Sequence, residues 1–492
     1  MTPQSAQADP RAALSQQLER ALAAPPYDVN AICRLGNAAY RMGLGPQAAR
    51  AFEASIDILN ELIRRGDAEN ALWAEGAIYN SFVKAIEDEG HYERVFALWR
   101  EPMAELGRRF RAAAVDASPG AKGIGFVFPS GVVLGHTEVL FRLLENRDRA
   151  VPVRIYSLGP CTPDFLARAR ALDVPVANFP QAEWGPGAGF VDRLRWIRSS
   201  MANDAVRTAV WVSAPATAIF AFAMGLAPVQ VMWTLRYHPV RLPEVDGYLT
   251  YGSWGEDARD FHGQRWVVCP VPLALDPRRP STEATAALRA QFPEPVLLGT
   301  LAREEKIDSR PFLESVASIL QGNPQCGYIW TGHARHPSVA AFLDQRGVGA
   351  RCHFVGWVDT PLYASVLDVF LETFPLGCGI TGYQALSSGV PVVSFLEANT
   401  IFGMQYWHEV MARAGDRSRV TREMLDDYPV LCARDPQEYA ALASRLIADA
   451  LFRDEWHARG QRFFDEEIAG IARYSKRFFA AIGDVADARR AA

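Results

Sequence analysis

The stretch that most constrains the fold is Leu371–Phe395, where a buried strand, a glycine-rich turn, a helix and a second buried strand follow one another. Pro375, Gly377 and Gly379 interrupt any regular pattern, and a helix is predicted from Thr381 to a Gly-Val-Pro turn. A glycine turn that leads into a helix N-terminus presents backbone N–H groups with partial positive charge, which suits a phosphate. An ordinary strand–helix turn without a ligand fits the glycines equally well.

Strands alternate with helices over most of the chain. Short apolar runs at 123–128, 153–158, 209–213 and 229–233 predict strands separated by helical segments, and a second series begins at 296. Such alternation predicts parallel sheets that are covered by helices on both faces. We therefore expect an α/β protein with two doubly wound, Rossmann-like domains.

The first hundred residues are predicted to be helical. Leu35-Gly36, Ala48 and Phe52 fall at the spacing of a tetratricopeptide-like hairpin. A second, weaker match to the same spacing ends at Trp99. A plain helical bundle explains the pattern equally well. In either case the hairpins are too few for a long solenoid, so we expect them to dock on the next domain or to contact a polypeptide.

Two segments of the second unit carry a family resemblance. The first combines Glu372-Thr373, the loop 375–379, Thr381-Gly382 and Gly389-Val390-Pro391, and the second contains Lys306-Ile307-Asp308. Together they resemble the donor site of the O-GlcNAc transferase family and its bacterial relatives, including the HMW1C-like protein glycosyltransferases.

The resemblance implies a GT-B fold, with two Rossmann-like domains facing across a cleft. The implied organisation is an all-α, tetratricopeptide-like domain at 1–118, an acceptor-side domain at 119–280, a nucleotide-sugar domain at 281–470 and a final helix at 471–492 that packs back on the first Rossmann-like domain. It also implies metal-independent, inverting transfer of a hexose or N-acetylhexosamine from a UDP-sugar to Asn or Ser/Thr of a protein or peptide acceptor. No cofactor beyond the donor substrate is implied.

The donor-binding residues are implied by position. Lys306 matches the lysine that contacts phosphate, and Arg303 stands where relatives carry a glutamine; both could instead be solvated charges paired with Glu304 and Glu305. Thr381 matches a phosphate-binding threonine, or is simply a helix cap.

The glycine turn also departs from the family. Gly379, Ile380 and Gln384 replace the family's histidine, first threonine and ribose-binding acid, while Gly382 keeps the family's glycine. An amide at 384 can still hydrogen-bond ribose hydroxyls, but the exchange leaves the nucleotide less certain than the fold.

The nucleotide base is expected over the turn after the strand 353–355. Trp357 and Val358 occupy the position of the family's base-contacting backbone, and Trp357 shields the base or belongs to the core. Gly332 and His333 follow the preceding strand and are expected near the sugar.

His136 is the candidate catalytic residue on the first Rossmann-like unit. It is expected in a loop, 135–138, at the first strand–helix junction. An imidazole can accept a proton near neutral pH, although a lone histidine is more often structural. His238 is a second, weaker candidate, and the identity of the general base stays open.

Composition and charge argue against several other classes of protein. The net charge of −5 gives no attraction to nucleic acid, and the seven cysteines are scattered without a CxxC pair, which disfavours zinc and suits a reducing compartment. Cys378 is interpreted as loop filler and not as a nucleophile. The sequence shows neither a signal peptide nor a membrane span, so a cytoplasmic location is expected, and no Asp-x-Asp stands near the glycine turn to hold a metal.

Two alternatives remain. The first is a retaining two-Rossmann glycosyltransferase of glycan or lipopolysaccharide synthesis, whose pair of glutamates would fall on Leu376 and Gln384 here. The second is a non-catalytic scaffold that uses the helical hairpins and keeps a degenerate transferase domain.

Overall fold

The structure is a computed structural model of the 492-residue chain. It describes residues 10–23, 25, 27–42, 44–83, 89–111, 121–133, 135–185, 187–212, 216–234, 241–250, 258–261, 264–269, 280–397, 399–468 and 471–491. Of the sequence predictions, His238 lies outside these residues.

The N-terminal region consists of helices packed in hairpins. Gly36 permits one close approach, because a Cβ at this position would lie 2.6 Å from the Cβ of Ala51 and 2.7 Å from the Phe82 ring. Phe82 also packs edge-to-face on Phe52, with ring centres 5.3 Å apart. The helices are α1 (Pro10–Leu22), α2 (Val29–Arg41), α3 (Gly45–Arg65), α4 (Ala68–Ile78), α5 (Glu89–Ala97) and α6 (Arg100–Arg109).

The first Rossmann-like domain is built on a sheet of eight described strands, β1 (Gly123–Phe128), β2 (Val153–Ser157), β3 (Val176–Asn178), β4 (Val206–Val212), β5 (Val229–Thr234), β6 (Gly247–Thr250), β7 (Ala258–Phe261) and β8 (Gln264–Val268). Its helices are α7 (Gly135–Glu145), α8 (Pro163–Ala171), α9 (Gln181–Trp184), α10 (Phe190–Asn203) and α11 (Ala218–Met224). The strand order is β3-β2-β1-β4-β5-β6-β8-β7, and the described pairs are parallel except for β7 with β8. Every residue of β1 and β5 is buried, as expected for strands that are covered on both faces.

The second Rossmann-like domain has a six-stranded parallel sheet of β9 (Val296–Thr300), β10 (Cys326–Trp330), β11 (Cys352–Phe354), β12 (Val369–Leu371), β13 (Val392–Phe395) and β14 (Leu431–Ala433). Its helices are α12 (Thr282–Arg289), α13 (Glu304–Ile307), α14 (Arg310–Gly322), α15 (Pro337–Gln345), α16 (Thr360–Ala364), α17 (Ile380–Ser387), α18 (Ile401–Ala414), α19 (Arg422–Asp426), α20 (Pro436–Ala448) and α21 (Ala450–Phe463). The order is β11-β10-β9-β12-β13-β14, so the chain reverses direction across the sheet between β9 and β12. The predicted fold class, two Rossmann-like sheets after a helical region, is confirmed.

The last helix, α22 (Ile471–Ala491), returns to the first sheet. Phe478 packs on Trp233 of β5 with ring centres 4.8 Å apart, and Ser475 Oγ donates to the Leu143 carbonyl of α7 at 2.6 Å. Towards its end, Arg489 pairs with Asp246 at 3.3 Å. The end of the chain is thereby tied back to the first Rossmann-like domain.

Two carboxylates of α4 join the helical region to the first Rossmann-like domain. Glu69 accepts from the backbone N–H groups of Phe190 and Val191 at 2.6 and 2.8 Å, and so caps α10, whose own N-cap is a glycine. Glu75 is fully buried and accepts from the Thr217 N–H at 2.8 Å, next to α11. Because helix N-termini attract negative charge, both contacts stabilise a fixed orientation of the two parts.

Candidate active site

The candidate site lies at the carboxyl edge of the second sheet, where the strand order reverses. Strands β9 and β12 pair there, with Leu298 opposite Val369. The segment after β9 carries Lys306, and the segment after β12 is the glycine loop. Ligands of open α/β sheets bind at such a switch point, so strand order alone brings these two distant segments together.

The glycine loop is held from below by a buried carboxylate. Glu372 directly follows β12, accepts from Ser394 Oγ and from the Ile401 N–H, each at 2.7 Å, and is fully buried. Burial raises the pKa of Glu372 to about 7, against these hydrogen bonds and the nearby Lys306 charge, which lower it. Gly377 packs so closely that a Cβ there would lie 2.5 Å from Glu372 Oε1.

The Lys306 ammonium points at this loop. Its Nζ donates to the Gly377 carbonyl at 2.6 Å and lies 3.4 Å from the Cys378 carbonyl. The chain contains four lysines among 51 basic residues, so nearly all its other cations are arginines. A compact ammonium held at the mouth of a glycine loop is a group that can bind an oxyanion.

Helix α17 begins directly after the loop. Gly379 is its N-cap and has φ +71°, a left-handed conformation that favours glycine. The Thr381 Oγ1 and Gln384 Oε1 atoms are buried and have no hydrogen-bond partner among the described residues. An unpaired buried polar atom costs free energy, so both atoms fit a bound ligand that supplies the missing partners.

Gly382 and Ile380 of α17 have packing roles and carry no polar side-chain atom that could bind a ligand. The Gly382 N–H donates to the Gly379 carbonyl at 3.1 Å. It therefore completes a turn and does not point outward, as a backbone N–H that binds a phosphate would have to do. A Cβ at Gly382 would also lie 3.1 Å from Ile401, which indicates a packing role. Ile380 is a partly buried core neighbour.

The turns after β10 and β11 carry a stacked pair of aromatic rings, and the His333 N–H donates to Glu304 of α13 at 2.9 Å. The rings of His333 and Trp357 stack with centres 4.2 Å apart and an angle of 8°, although Trp357 is 65% exposed. Trp357 is therefore not a core residue. The Gly332 N–H donates to the Gly356 carbonyl at 3.3 Å, which joins the two turns, and Val358 follows, half-buried.

Arg303 is a surface charge in an ion pair, which was the alternative to a donor-binding role. Its guanidinium pairs with Glu305 at 2.9 Å, and both side chains are more than one-third exposed. The structure thus brings Lys306 to the glycine loop that leads into the helix of Thr381 and Gln384, whereas Arg303 is held in a surface ion pair.

His136 lies in the first turn of α7 and not in a loop, so this prediction was wrong; Gly135 begins the helix instead of preceding it. Its ring stacks on Phe128 with centres 6.2 Å apart, and burial lowers the pKa of its imidazole to about 4. The ring is therefore neutral at pH 7 and a weak base.

Cys378 is a buried residue of the loop and lies near Thr373 and Glu372. Burial raises its pKa to about 11, so the group remains a thiol at neutral pH. Among the described residues no cluster of His, Cys, Asp and Glu could hold a metal, and no helix there combines the length and apolarity needed to cross a bilayer.

Glu372 belongs to the motif found in the sequence, but no structural role was predicted for it. The available signal was an acidic residue directly after three apolar strand residues, since a carboxylate at such a position is buried and must be hydrogen-bonded. Tyr439 adds a contact that the sequence could not indicate, because its OH donates to the Glu372 carbonyl at 2.8 Å from a helix 67 residues away.

No protein-family model matches the sequence, and no curated protein matches it. Among solved structures, a mutant of Thermobaculum terrenum O-GlcNAc transferase matches with TM-score 0.55 and 19% identity over 100% of both chains. Anabaena HepE, in complex with UDP and glucose, matches 74% of this chain and 100% of its own with TM-score 0.54 and 13% identity. Sucrose-phosphate synthase from Thermosynechococcus elongatus matches 74% of this chain and 99% of its own with TM-score 0.52 and 13% identity. The chain therefore has the GT-B fold of glycosyltransferases, and the predicted resemblance is confirmed at the level of the fold.

Proposed function

We propose that this protein is a glycosyltransferase that uses a UDP-sugar as its donor. The observation that carries the proposal is the contact of Lys306 with the glycine loop at the switch point of the second sheet, directly before the helix that carries Thr381 and Gln384. The first supplies a positive charge, and the other two present buried polar atoms that lack partners among the described residues.

The chemistry follows from charge. Transfer breaks the bond between the anomeric carbon and the diphosphate oxygen, and the leaving diphosphate gains negative charge. The acceptor atom bonds to that carbon and releases its proton to a general base or to solvent. The Lys306 ammonium and the N-terminal end of α17 stabilise that charge, and no metal is required for this step. We expect activity to persist in the presence of a chelator.

The uridine is proposed to lie against the turns after β10 and β11. The stacked and exposed His333–Trp357 pair supports stacking on one face of a base, and the backbone of Val358 is proposed to contact the edge of that base. HepE was solved with UDP, and its GT-B fold is shared by this chain. Gln384 is proposed to bond the ribose hydroxyls.

A protein side chain is the proposed acceptor, and inversion the proposed outcome. The match to an O-GlcNAc transferase over the whole of both chains, helical region included, supports the first. Glu69 and Glu75 hold that region in a fixed orientation on the acceptor-side domain. Inversion is supported because Leu376 and Gln384 stand where a retaining enzyme would carry its two glutamates.

The test is transfer from a panel of UDP-sugars to a peptide library, with the anomer of the product determined by NMR. We expect activity with at least one UDP-sugar, no loss on addition of EDTA and an inverted anomer. A retained anomer would support the retaining alternative. Failure of UDP to bind in calorimetry would support the non-catalytic scaffold.

A further inference from the structure

Helix α13 contacts both the glycine loop and the turn after β10. At one end, Lys306 Nζ donates to the Gly377 carbonyl at 2.6 Å. Two residues earlier in the chain, Glu304 Oε2 accepts from the His333 N–H at 2.9 Å. The helix is anchored in the core by Ile307, which is fully buried. One short helix therefore carries the proposed phosphate-binding cation and also holds the turn of the stacked rings.

The contact between Glu304 and that turn is close. A Cβ at Gly332 would lie 2.8 Å from Glu304 Oε2 and 3.2 Å from Glu304 Cβ, so the absence of a side chain at 332 makes room for the carboxylate. The Gly332 N–H donates to the Gly356 carbonyl at 3.3 Å, which joins the turn to the next one. Trp357 follows directly, and its ring lies 4.2 Å from the His333 ring, centre to centre. Glu304 thus contacts the backbone on which the stacked pair is built.

The Glu304 carboxylate is ionised at neutral pH. Burial opposes ionisation, but hydrogen bonds from the Glu304 and His333 backbone N–H groups, together with the nearby His333 and His336 rings, lower the pKa of Glu304 below its ordinary value. A hydrogen bond from an N–H to a charged acceptor is stronger than one to a neutral acceptor. The turn is therefore held by a strong bond.

This bond matters because the rings that it supports are exposed. His333 is exposed, and Trp357 is 65% exposed, so core packing does not fix the stacked pair. Its orientation depends instead on the backbone contacts of the two turns. Electrostatics does not explain the carboxylate, because a negative charge two residues from Lys306 repels a phosphate. A supporting role for Glu304 explains both the bond and its location.

We propose that Glu304 is a positioning residue for the base of the donor nucleotide, which orders the His333–Trp357 pair before the nucleotide binds. The inference rests on the proposed function, because it concerns the same UDP site. A binding surface that is ordered in advance loses less conformational entropy when the ligand binds. Loss of the Glu304 contact should therefore lower the affinity for UDP without removing a group that touches the nucleotide.

The experiment is calorimetric titration of the full chain with UDP. Glu304→Ala should raise the dissociation constant at least about fivefold. The matched control is Glu305→Ala, which removes the same charge from the same helix but breaks only the surface pair with Arg303, and it should stay within about twofold. Removal of a charge alone would strengthen the binding of an anion, so the two explanations predict opposite changes in Glu304→Ala. Glu304→Gln keeps an oxygen that can accept from His333, and it should restore most of the affinity.

A second measurement separates positioning from general stabilisation. In a Trp357→Ala background, adding Glu304→Ala should change the dissociation constant by less than about twofold, because the ring through which Glu304 acts is already missing. Gly332→Ala is an independent variant, since its added Cβ displaces the carboxylate, and it should weaken UDP binding as Glu304→Ala does.

The outcomes distinguish this inference from the proposed function. Wild-type UDP affinity in Glu304→Ala, or an equal additional loss in the Trp357→Ala background, would overturn the role of Glu304 and leave the UDP site in place. Absence of UDP binding to the wild type would overturn the proposed function and this inference together.

Discussion

The Lys306 ammonium lies 2.6 Å from the Gly377 carbonyl oxygen, although 71 residues separate them in the chain. The contact exists because β9 and β12 are neighbours in the sheet, so the segments that leave their carboxyl ends meet. A phosphate bound at the loop would compete with that carbonyl for the ammonium. In the proposed reaction, this cation would stabilise the charge that develops on the leaving diphosphate.

Replacing Lys306 by alanine should therefore reduce kcat/KM for sugar transfer by on the order of 100-fold, since single electrostatic groups in such sites contribute about that much. The measurement is the initial rate with a UDP-sugar at varied concentration. Lys476→Ala is the control, because Lys476 is exposed on α22, and it should retain the wild-type rate. Equal rates in the two variants would remove Lys306 from the site.

Thr381→Val should separate binding from stability. The Thr381 hydroxyl has no partner among the described residues, so its loss should leave the free energy of unfolding unchanged or slightly higher. UDP affinity should nevertheless fall by roughly tenfold, since one hydrogen bond to a charged group contributes about 1.5 kcal/mol.

The matched control for this hydroxyl is Thr373→Val. The Thr373 Oγ1 donates to the Leu376 carbonyl at 2.6 Å, so this change should lower the free energy of unfolding by about 1 kcal/mol. Calorimetry with UDP and urea unfolding measure the two quantities. Wild-type UDP affinity in Thr381→Val would contradict the proposed phosphate contact.

Gly377→Ala should destabilise the loop. An added Cβ would meet Glu372 Oε1 at 2.5 Å and the Asn399 carbonyl oxygen at 2.6 Å, and overpacking of this kind costs about 1–3 kcal/mol. Gly322→Ala at the end of α14 is the control, because nothing lies within 4 Å of its Cβ position. Thermal unfolding of the two variants should show a lower midpoint for Gly377→Ala alone.

Trp357→Ala should weaken UDP binding by about tenfold with little change in stability, because the exposed indole is proposed to cover the base, and base–aromatic stacking contributes about 1–3 kcal/mol. Trp357→Phe keeps an aromatic ring and should restore most of the affinity. Trp73→Ala changes a similarly exposed tryptophan of the helical region and should bind UDP normally. A normal affinity in Trp357→Ala would place the base elsewhere.

The sequence predicted the helices and strands that contain long apolar runs or that are bounded by glycine or proline. Strand β1 was predicted with its observed bounds, and α17 within one residue, because Gly379 and Gly389 bracket it. Strands β3, β6, β7, β8 and β14 were missed, since three to five residues, half of them polar in β7, carry too short a pattern to recognise.

Motif spacing predicts members of the candidate site, but it does not predict the environment of each side chain. Lys306 and Thr381 were identified from motif spacing, yet only the tertiary structure shows that Gly382 uses its N–H internally and that Arg303 is paired with Glu305. The burial of His136 also depends on contacts across the domain. Spacing along a chain determines which residues can meet, whereas desolvation and hydrogen bonding depend on everything packed around them.

His136 should make the protein less stable in mild acid. Its pKa of about 4 in the folded chain lies below the ordinary value of 6.5, so between these values the unfolded chain binds more protons. The stability that the neutral imidazole contributes is complete above about pH 6.5 and is lost as the pH falls towards 4. At pH 5 the loss should be roughly 2 kcal/mol.

This loss can be measured by urea unfolding of the wild type and of His136→Phe at pH 7 and pH 5. The wild type should lose that much more stability than the variant, because the phenylalanine ring keeps the stack on Phe128 but cannot be protonated. Buried Glu75 and Glu372, whose pKa values burial raises to about 7, act in the opposite direction in both proteins and cancel in the comparison. Equal pH dependence in the two proteins would mean that the imidazole reaches solvent, and His136 would then regain a pKa suited to a general base.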